Sequence, residues 1–344
     1  MPSFLSGRAR SPTGEMSSGN LEFLLGRAWR DVELPPDAVG IPTMLSKLER
    51  KLLYTLARDY ASGDAAIVDA GCFLGGSTAA LLAGVRDRAE PWTGPPVESY
   101  DLFQVEAYTV AKFFDDPRTQ VGDSFRHRFD ANVVKFDVPR VVHEGDIVEI
   151  GWSGGPIDVL FLDVLKTWEV NDAVLRDFFP SLRPGRSVIV HQDYGSGWLP
   201  WIPISVELMG GSLRLIDGME WGSHLFFVAE ELPSDILENG VARLDVDEKF
   251  ALVERAVERS DSWVRGMMEI ARTELVYERN GADAAVHDLD RIASLYRDHD
   301  FVLSFVDHIR TGLETEGTYV SAPVAPPGGL AALRKRLSAA LFGG

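Results

Sequence analysis

The sequence predicts an α/β fold, a mainly parallel sheet with helices on both faces, followed by an all-helical region. Two short apolar runs, residues 66–68 and 157–162, each predict a strand buried on both faces. Each run ends in an acid and leads towards a helix-forming segment, which is the order of a βαβ unit. The helical region is predicted from residues 232–316, where apolar residues recur at helical spacing.

The composition is that of a globular protein with a marked excess of acidic residues. The chain has 344 residues, enough for one large domain or two smaller ones, and 45% of them are hydrophobic. Its formal charge of −18 opposes binding to the nucleic-acid backbone, which proteins contact largely through Lys and Arg. We therefore expect a small-molecule or glycosylated partner and no nucleic acid.

No stretch of the sequence is typical of a membrane span or an export signal. No apolar run approaches the ~20 residues that cross a bilayer, and residues 1–20 lack the apolar core of a signal peptide. The single cysteine, Cys72, excludes an internal disulfide and fits a reducing compartment. We expect a cytoplasmic protein that does not bind membranes.

Periodicity divides the chain into four segments. Residues 1–41 are predicted to be disordered or extended, 42–231 to alternate strands and helices, 232–320 to form a helical domain, and 321–344 a linker with a short terminal helix. The helical domain either covers the substrate pocket or mediates dimerisation, so a homo-oligomer is left open. Strands are predicted at 66–68, 97–103, 141–147, 157–163, 188–190, 212–216 and 224–228, the last two as an antiparallel hairpin.

A glycine-rich loop follows the first predicted strand and precedes a helix, a geometry that brings backbone N–H groups up to a ligand. A P-loop would need Lys where Ser77 stands, and a dinucleotide fingerprint would need Gly where Phe73 stands. The stretch from Ile67 to Gly75 instead reads hydrophobic-hydrophobic-acid-x-G-x-x-x-G. This pattern resembles the cofactor loop of class I S-adenosylmethionine-dependent methyltransferases.

A second stretch carries the same resemblance. A predicted strand ending in Asp163, a helix, Leu182-Arg183-Pro184-Gly185 and a further strand follow one another as in the fourth and fifth strand region of that family. The resemblance covers about residues 42–231 and is nearest to bacterial natural-product O-methyltransferases that act on macrolide sugars. It implies a Rossmann-like, seven-stranded class I methyltransferase sheet, to which the helical region is an appendage.

The resemblance also implies which residues bind S-adenosylmethionine. The glycine loop would surround the cofactor, the acid at the end of strand two would accept hydrogen bonds from the ribose hydroxyls, and the turn after strand three would meet the adenine ring. The matching residues are Asp69, Gly71, Phe73, Gly75 and Ser77 in the loop, Asp101 after strand two, and Asp146 and Ile147 after strand three.

Two mechanisms remain open for the catalytic residues. Asp163 and Lys166 are similar to the D-x-x-K segment of catechol-type O-methyltransferases, in which the Asp binds a divalent metal ion and the Lys is the base. The Asp-Asn pair of those enzymes is replaced here by Gln192-Asp193, so that a neutral amide, a poor ligand for a hard cation, stands where those enzymes have the Asp. A magnesium site of Asp163, Gln192 and Asp193 is therefore doubtful, and without metal His191 is the alternative base to Lys166.

The sequence thus predicts S-adenosylmethionine-dependent methyl transfer, directed at a hydroxyl of a small or sugar-bearing metabolite. Two other functions are kept as alternatives. The first is a binding or regulatory protein that has the fold without the chemistry, and the second is a hydroxylase or oxidoreductase on a similar sheet. Trp168, Trp198 and Trp201 either wall the acceptor pocket or belong to the core.

Overall fold

The computed structural model describes residues 12–114, 116–219, 222–316 and 319. The predicted disorder of residues 1–11, and the predicted linker and terminal helix at 321–344, lie outside the described residues. Side chains are described for residues 18–114, 116–219, 222–314 and 319.

Seven strands form one mixed sheet in the order β3-β2-β1-β4-β5-β7-β6. The first five strands are parallel, and β7 pairs antiparallel with both β5 and β6. The predicted fold class and the predicted antiparallel hairpin are confirmed, since this is the class I methyltransferase sheet. The strands are β1 Ala66–Ala70, β2 Val97–Asp101, β3 Arg140–Glu144, β4 Ile157–Leu162, β5 Val188–His191, β6 Leu213–Gly218 and β7 His224–Val228.

The strand order reverses between β1 and β4. From this central pair, β2 and β3 extend the sheet to one side and β5 to the other. Every residue of β1 and β4 is buried, because helices cover both faces of the sheet. A crevice therefore opens at the carboxyl ends of β1 and β4, where open α/β sheets bind their ligands.

Helices flank the sheet in two layers, each with its own apolar core. One core contains Val188 and Val190 of β5 together with side chains of the third and fourth helices. The other core contains Ile189, which lies between them on β5, together with side chains of the eighth and ninth helices. The helices of this part are α1 Pro12–Gly26, α2 Pro36–Val39, α3 Lys47–Thr55, α4 Gly76–Arg86, α5 Ala107–Phe113, α6 Arg126–Val133, α7 Ile147–Ile150, α8 Trp168–Asp177 and α9 Trp201–Met209.

The amino-terminal segment is more ordered than the sequence predicts. Residues 12–26 form α1, and the proline-rich stretch expected to be extended contains the short helix α2. Leu24 is fully buried, and the Asn20 side chain donates a hydrogen bond to the Gly185 carbonyl 3.0 Å away and accepts one from Arg186. The prediction failed because these contacts are with residues distant in sequence, which local periodicity does not reveal.

Residues 234–316 are helical, as predicted. The last helices form a separate apolar core, and α11 packs against α9 of the sheet region through Leu252 and Val253. None of the helices in the described residues has the length and apolar character that a membrane span requires. The helices are α10 Ser234–Asn239, α11 Val246–Arg259, α12 Ser262–Asn280, α13 Ala282–Leu295 and α14 Asp300–Glu316.

The helical region supports the loop that follows β5. The Trp198 ring in this loop stacks on Phe305 of α14, with ring centroids 4.2 Å apart. Gly197 lies so close to α12 that a Cβ atom there would be 3.0 Å from Ile270. The helices thus fix the chain just beyond the carboxyl end of β5, on one side of the crevice.

We expect Phe305→Ala to lower the free energy of unfolding by about 3–5 kcal/mol, as is usual when a buried aromatic ring is removed. Leu295→Ala, at a position 62% exposed in the same region, is the matched control and should change it little. Urea denaturation followed by circular dichroism measures both. Equal midpoints for the two variants would contradict a supporting role for the stacked rings.

Candidate active site

A small cleft, partly open to solvent, lies at the carboxyl ends of β1 and β4. It combines the predicted glycine loop with Asp163 and with a segment near the amino terminus that the sequence did not assign to the site. The lining residues are Thr43, Met44, Leu45, Gly71, Cys72, Phe73, Ser77 and Asp163.

The glycines of the loop are required by its backbone. Gly71 has φ +94°, and a Cβ atom there would lie 2.6 Å from the carbonyl oxygen of Asp163. Gly75 has φ +91° and is the N-cap of α4, without a side chain that could accept a hydrogen bond from the first turn. Gly75 therefore gives the amino end of α4 no side-chain cap. The N–H groups of the first turn of α4 and the dipole of this helix favour an anionic group there.

Asp69 lies beneath the loop rather than at its surface. Its side chain is fully buried, and Oδ2 accepts hydrogen bonds from the hydroxyls of Ser77 at 2.9 Å and Thr78 at 2.5 Å. Burial raises the pKa of the Asp69 carboxyl to about 7, against the effect of these two hydroxyls. Asp69 thus joins β1 to the first turn of α4, and its predicted contact with the cofactor stays a prediction.

The carboxylate of Asp101 joins the glycine loop to the end of β2. Oδ2 accepts the N–H of Phe73 at 2.8 Å, and Oδ1 accepts the N–H of Phe103 at 2.7 Å. Both phenylalanines have positive φ, +46° and +54°. A bulky residue pays about 1–3 kcal/mol for such a conformation, so something else must stabilise it. The two hydrogen bonds to one carboxylate have that effect.

Aromatic packing also stabilises Phe73. Its ring makes edge contacts with Phe113 and Phe125, whose centroids lie 5.0 and 5.3 Å away. These partners belong to the insertion between β2 and β3, which contains α5 and α6. The insertion therefore holds one side of the loop.

The residues predicted to meet the adenine ring lie in the turn after β3. Asp146 is exposed, and its Oδ1 accepts the N–H of Val148 as the N-cap of α7, whereas Ile147 is buried. Leu102, directly after Asp101, is 53% exposed.

Lys166 lies between two carboxylates. Its Nζ donates to Asp163 Oδ1 at 2.8 Å and to Asp193 Oδ2 in a shorter hydrogen bond. The Asp163 and Asp193 side chains are 18% and 14% exposed, and that of Lys166 is 50% exposed. Burial opposes the charged lysine, but the two carboxylates outweigh it and raise the pKa of Lys166. The two ion pairs favour the protonated form of Lys166, and its role as the base stays a prediction.

The predicted metal site does not fit this arrangement. The Lys166 ammonium bonds to both carboxylates that a divalent ion would need, and Gln192 contributes no charge. Among the described residues, no group of three or more His, Cys, Asp or Glu side chains is arranged to hold a metal ion. We therefore derive no step through a metal at Asp163, Gln192 and Asp193.

The structure also argues against His191 as the base. The side chain is 2% exposed and meets the Phe226 ring edge-on, and its Nδ1 has no hydrogen-bond partner among the described residues. Burial lowers the pKa of His191 to about 3, and His224 on the neighbouring strand adds to this effect. A buried imidazole with so low a proton affinity is a poor proton acceptor.

The three tryptophans near the strand ends take part in internal packing. Trp201 donates its indole N–H to the Leu165 carbonyl at 2.7 Å, and the Trp168 ring lies 5.3 Å from it, with the Lys249 ammonium 4.5 Å from the Trp168 centroid. Together with the stacking of Trp198 on Phe305, these contacts favour the alternative that the tryptophans belong to the core.

No known family model and no curated protein matches the chain. Among the solved structures that are similar to it are those of two proteins. The apo structure of CalS11, a TDP-rhamnose 3′-O-methyltransferase of calicheamicin biosynthesis, is 18% identical with a TM-score of 0.38, over 65% of this chain and 97% of that one. Cofactor-bound Rv0187 from MTB is 19% identical with a TM-score of 0.38, over 65% of this chain and 100% of that one. At these values the similarity carries nothing about activity.

We expect Asp101→Ala to lower the free energy of unfolding by about 2–3 kcal/mol, because two N–H groups then lose a charged acceptor. Asp101→Asn keeps one acceptor oxygen and should lose about half as much. Chemical denaturation measures both variants. A wild-type midpoint for Asp101→Ala would show that the two left-handed phenylalanines do not depend on this carboxylate.

Proposed function

We propose that the chain transfers a methyl group from S-adenosylmethionine to a hydroxyl of a small or sugar-bearing metabolite. The observation that carries the proposal is the position of the glycine loop. It lies at the reversal of strand order between β1 and β4, is tied to the end of β2 by Asp101, and opens onto Asp163. This combination provides separate places for a nucleoside and for a reacting group.

The residues present fit an adenosyl cofactor with an amino-acid tail. The first turn of α4 would receive the carboxylate of the tail, because its N-cap Gly75 supplies no side-chain acceptor. Asp101 has one lone pair left on each oxygen for the ribose hydroxyls. The exposed Leu102 would lie against the adenine ring, and the exposed Asp146 would accept from its amino group.

When bound, S-adenosylmethionine supplies a methyl group activated by the positive charge on sulfur. The chain must then orient the acceptor and take a proton from its hydroxyl. Two carboxylates and one ammonium leave the cluster of Asp163, Lys166 and Asp193 with one net negative charge. Burial raises the pKa of Asp163 to about 7 against the pull of Lys166, and the charge of Asp193 acts in the same direction as burial. We assign the proton-accepting role to Asp163.

The acceptor class follows from charge. Asp163 lines the cleft and shares one cation, Lys166, with Asp193, in a chain whose formal charge is −18. Polyanions would be repelled from such a surface, whereas a neutral hydroxyl compound would not. A cytoplasmic location, expected from the single cysteine, and a homo-oligomeric state stay predictions.

Two measurements distinguish methyl transfer from the two alternative functions. A binding or regulatory protein would retain cofactor affinity without transferring the methyl group of radiolabelled S-adenosylmethionine to any of a panel of hydroxylated and glycosylated metabolites. A hydroxylase or oxidoreductase would be stabilised by its own cofactor instead, and NAD and ATP serve as comparison ligands.

S-adenosylhomocysteine should raise the melting temperature by mass action, and Leu102→Ala should weaken its binding by about 1–2 kcal/mol through lost apolar contact with the adenine. The control is Leu215→Ala, which removes a leucine of similar exposure, 52%, from the far edge of the sheet. Isothermal titration calorimetry measures both variants. Stabilisation by NAD or ATP alone would reject the proposed cofactor.

The value of kcat/KM should rise with pH up to about 7 and then level off, because Asp163 accepts a proton only when it is ionised. Lys166→Met removes the cation that favours the ionised carboxyl, so the rise should move to higher pH. Lys166→Arg keeps the charge and should leave the rise near its original pH. Asp163→Asn should lower kcat by about 10²–10⁴. Unchanged turnover in Asp163→Asn would exclude this carboxylate as the base.

A further inference from the structure

One aromatic side chain in the insertion between β2 and β3 is open to solvent. Tyr108 lies in the first turn of α5 and is 38% exposed, more than any other tyrosine that the structure describes. A tyrosine combines a large apolar ring with a polar hydroxyl, so an exposed tyrosine beside a cleft can offer a ligand both kinds of contact.

The backbone around Tyr108 is fixed at the edge of the cleft. The N–H and the hydroxyl of Thr109 both donate to the Glu106 carbonyl, at 2.9 and 2.7 Å, and hold the first turn of α5. At the other end of α5, Phe113 contacts the ring of Phe73, which lines the cleft. Five residues of helix separate Phe113 from Tyr108, a rise of about 7.5 Å. Tyr108 therefore lies beside the cleft on a helix that is held at both ends.

The hydroxyl of Tyr108 lies close to the pair of Asp163 and Lys166. Burial is the largest influence on this hydroxyl and raises the pKa of Tyr108, as does the carboxylate of Glu106, which accepts its hydrogen bond. The charges of Lys166 and Asp163 also act on it, the first favouring the ionised phenol and the second opposing it. The exposed part of Tyr108 is thus its ring, whereas the hydroxyl lies among polar groups. Because the hydroxyl donates to Glu106, its oxygen remains free to accept.

We propose that Tyr108 binds the methyl acceptor, with its ring against one face of the acceptor and its hydroxyl oxygen accepting a hydrogen bond from a second hydroxyl group of that compound. The inference rests on the proposed function, since it places the acceptor between Tyr108 and the carboxylate of Asp163. Asp163 takes the proton of the reacting hydroxyl, and Tyr108 determines which hydroxyl of the acceptor reaches Asp163. A site that bonds to a substrate hydroxyl discriminates strongly against analogues that lack it.

The first test is methyl transfer from radiolabelled S-adenosylmethionine to the member of the hydroxylated and glycosylated panel that the wild type methylates fastest. Tyr108→Ala should raise the KM for this acceptor at least about tenfold, and Tyr108→Phe about two- to tenfold, because Tyr108→Phe keeps the ring. The dissociation constant of S-adenosylhomocysteine should not change in either variant. Val121→Ala, at a position 64% exposed in the same insertion, is the matched control and should leave both constants unchanged.

An analogue of the same acceptor without the second hydroxyl separates a direct contact from a structural role. Wild type and Tyr108→Phe should methylate this deoxy analogue with the same KM, because neither protein can then form the hydrogen bond. A structural role of Tyr108 would instead leave the difference between the two proteins in place.

The second test needs no acceptor. Tetranitromethane should nitrate Tyr108, as located by mass spectrometry, and the ionisation of the resulting nitrophenol is followed by its absorbance. The pKa of this nitrophenol should rise in Lys166→Met, which removes a cation that favours the ionised form, and fall in Asp163→Asn. Arg118→Met removes a cation from the surface of the same insertion, where Arg118 pairs with Asp116, and is the control.

Three outcomes would overturn the inference. They are a wild-type KM for the acceptor in Tyr108→Ala, a weaker binding of S-adenosylhomocysteine in that variant with no change in this KM, and a nitrophenol pKa that is the same in wild type, Lys166→Met and Asp163→Asn. Failure of the proposed function would appear separately, as wild-type protein that neither binds S-adenosylhomocysteine nor methylates any member of the panel. The nitrophenol measurement decides the position of Tyr108 in that case as well.

Discussion

One carboxylate, that of Asp101, determines the shape of the cleft, because it bonds to two loops whose backbones are otherwise unfavourable. Phe73 and Phe103 both have positive φ, and each donates its N–H to a different oxygen of Asp101. Backbone strain in the glycine loop and in the turn after β2 is therefore balanced by the same group. In the proposed function Asp101 contacts the cofactor, and it also stabilises the backbone of two loops. Cofactor binding and the stability of the fold are therefore coupled.

The opposite side of the cleft depends on charge rather than on strain. There Lys166 holds Asp163 and Asp193 at the ends of neighbouring parallel strands, β4 and β5. The sequence pattern D-x-x-K identified the residues but not their roles, because the resembled family uses the lysine as the base. The second carboxylate, 27 residues further along the chain, adds to the first in raising the pKa of Lys166, which favours the protonated ammonium.

The difference between what could and could not be predicted follows from the range of the interactions. Apolar runs, and the glycines and prolines between them, are local signals, and they predicted the strands and the antiparallel hairpin. The environment of His191 depends on Phe226 and His224 of another strand, and the order of α1 depends on Gly185 and Arg186. These contacts bring together residues far apart in sequence, so periodicity carries no signal for them.

The helical region adds a constraint that a sheet alone would lack. Asp193 begins the loop after β5, and this loop is held from outside by α12 at Gly197 and by α14 at Trp198. A carboxylate on a free loop could move away from Asp163 to reduce repulsion. A loop fixed by packing keeps Asp193 in place, and the ammonium of Lys166 is paired with both carboxylates. The apolar packing of the helical region therefore helps to keep the charged cluster of Asp163, Lys166 and Asp193 together.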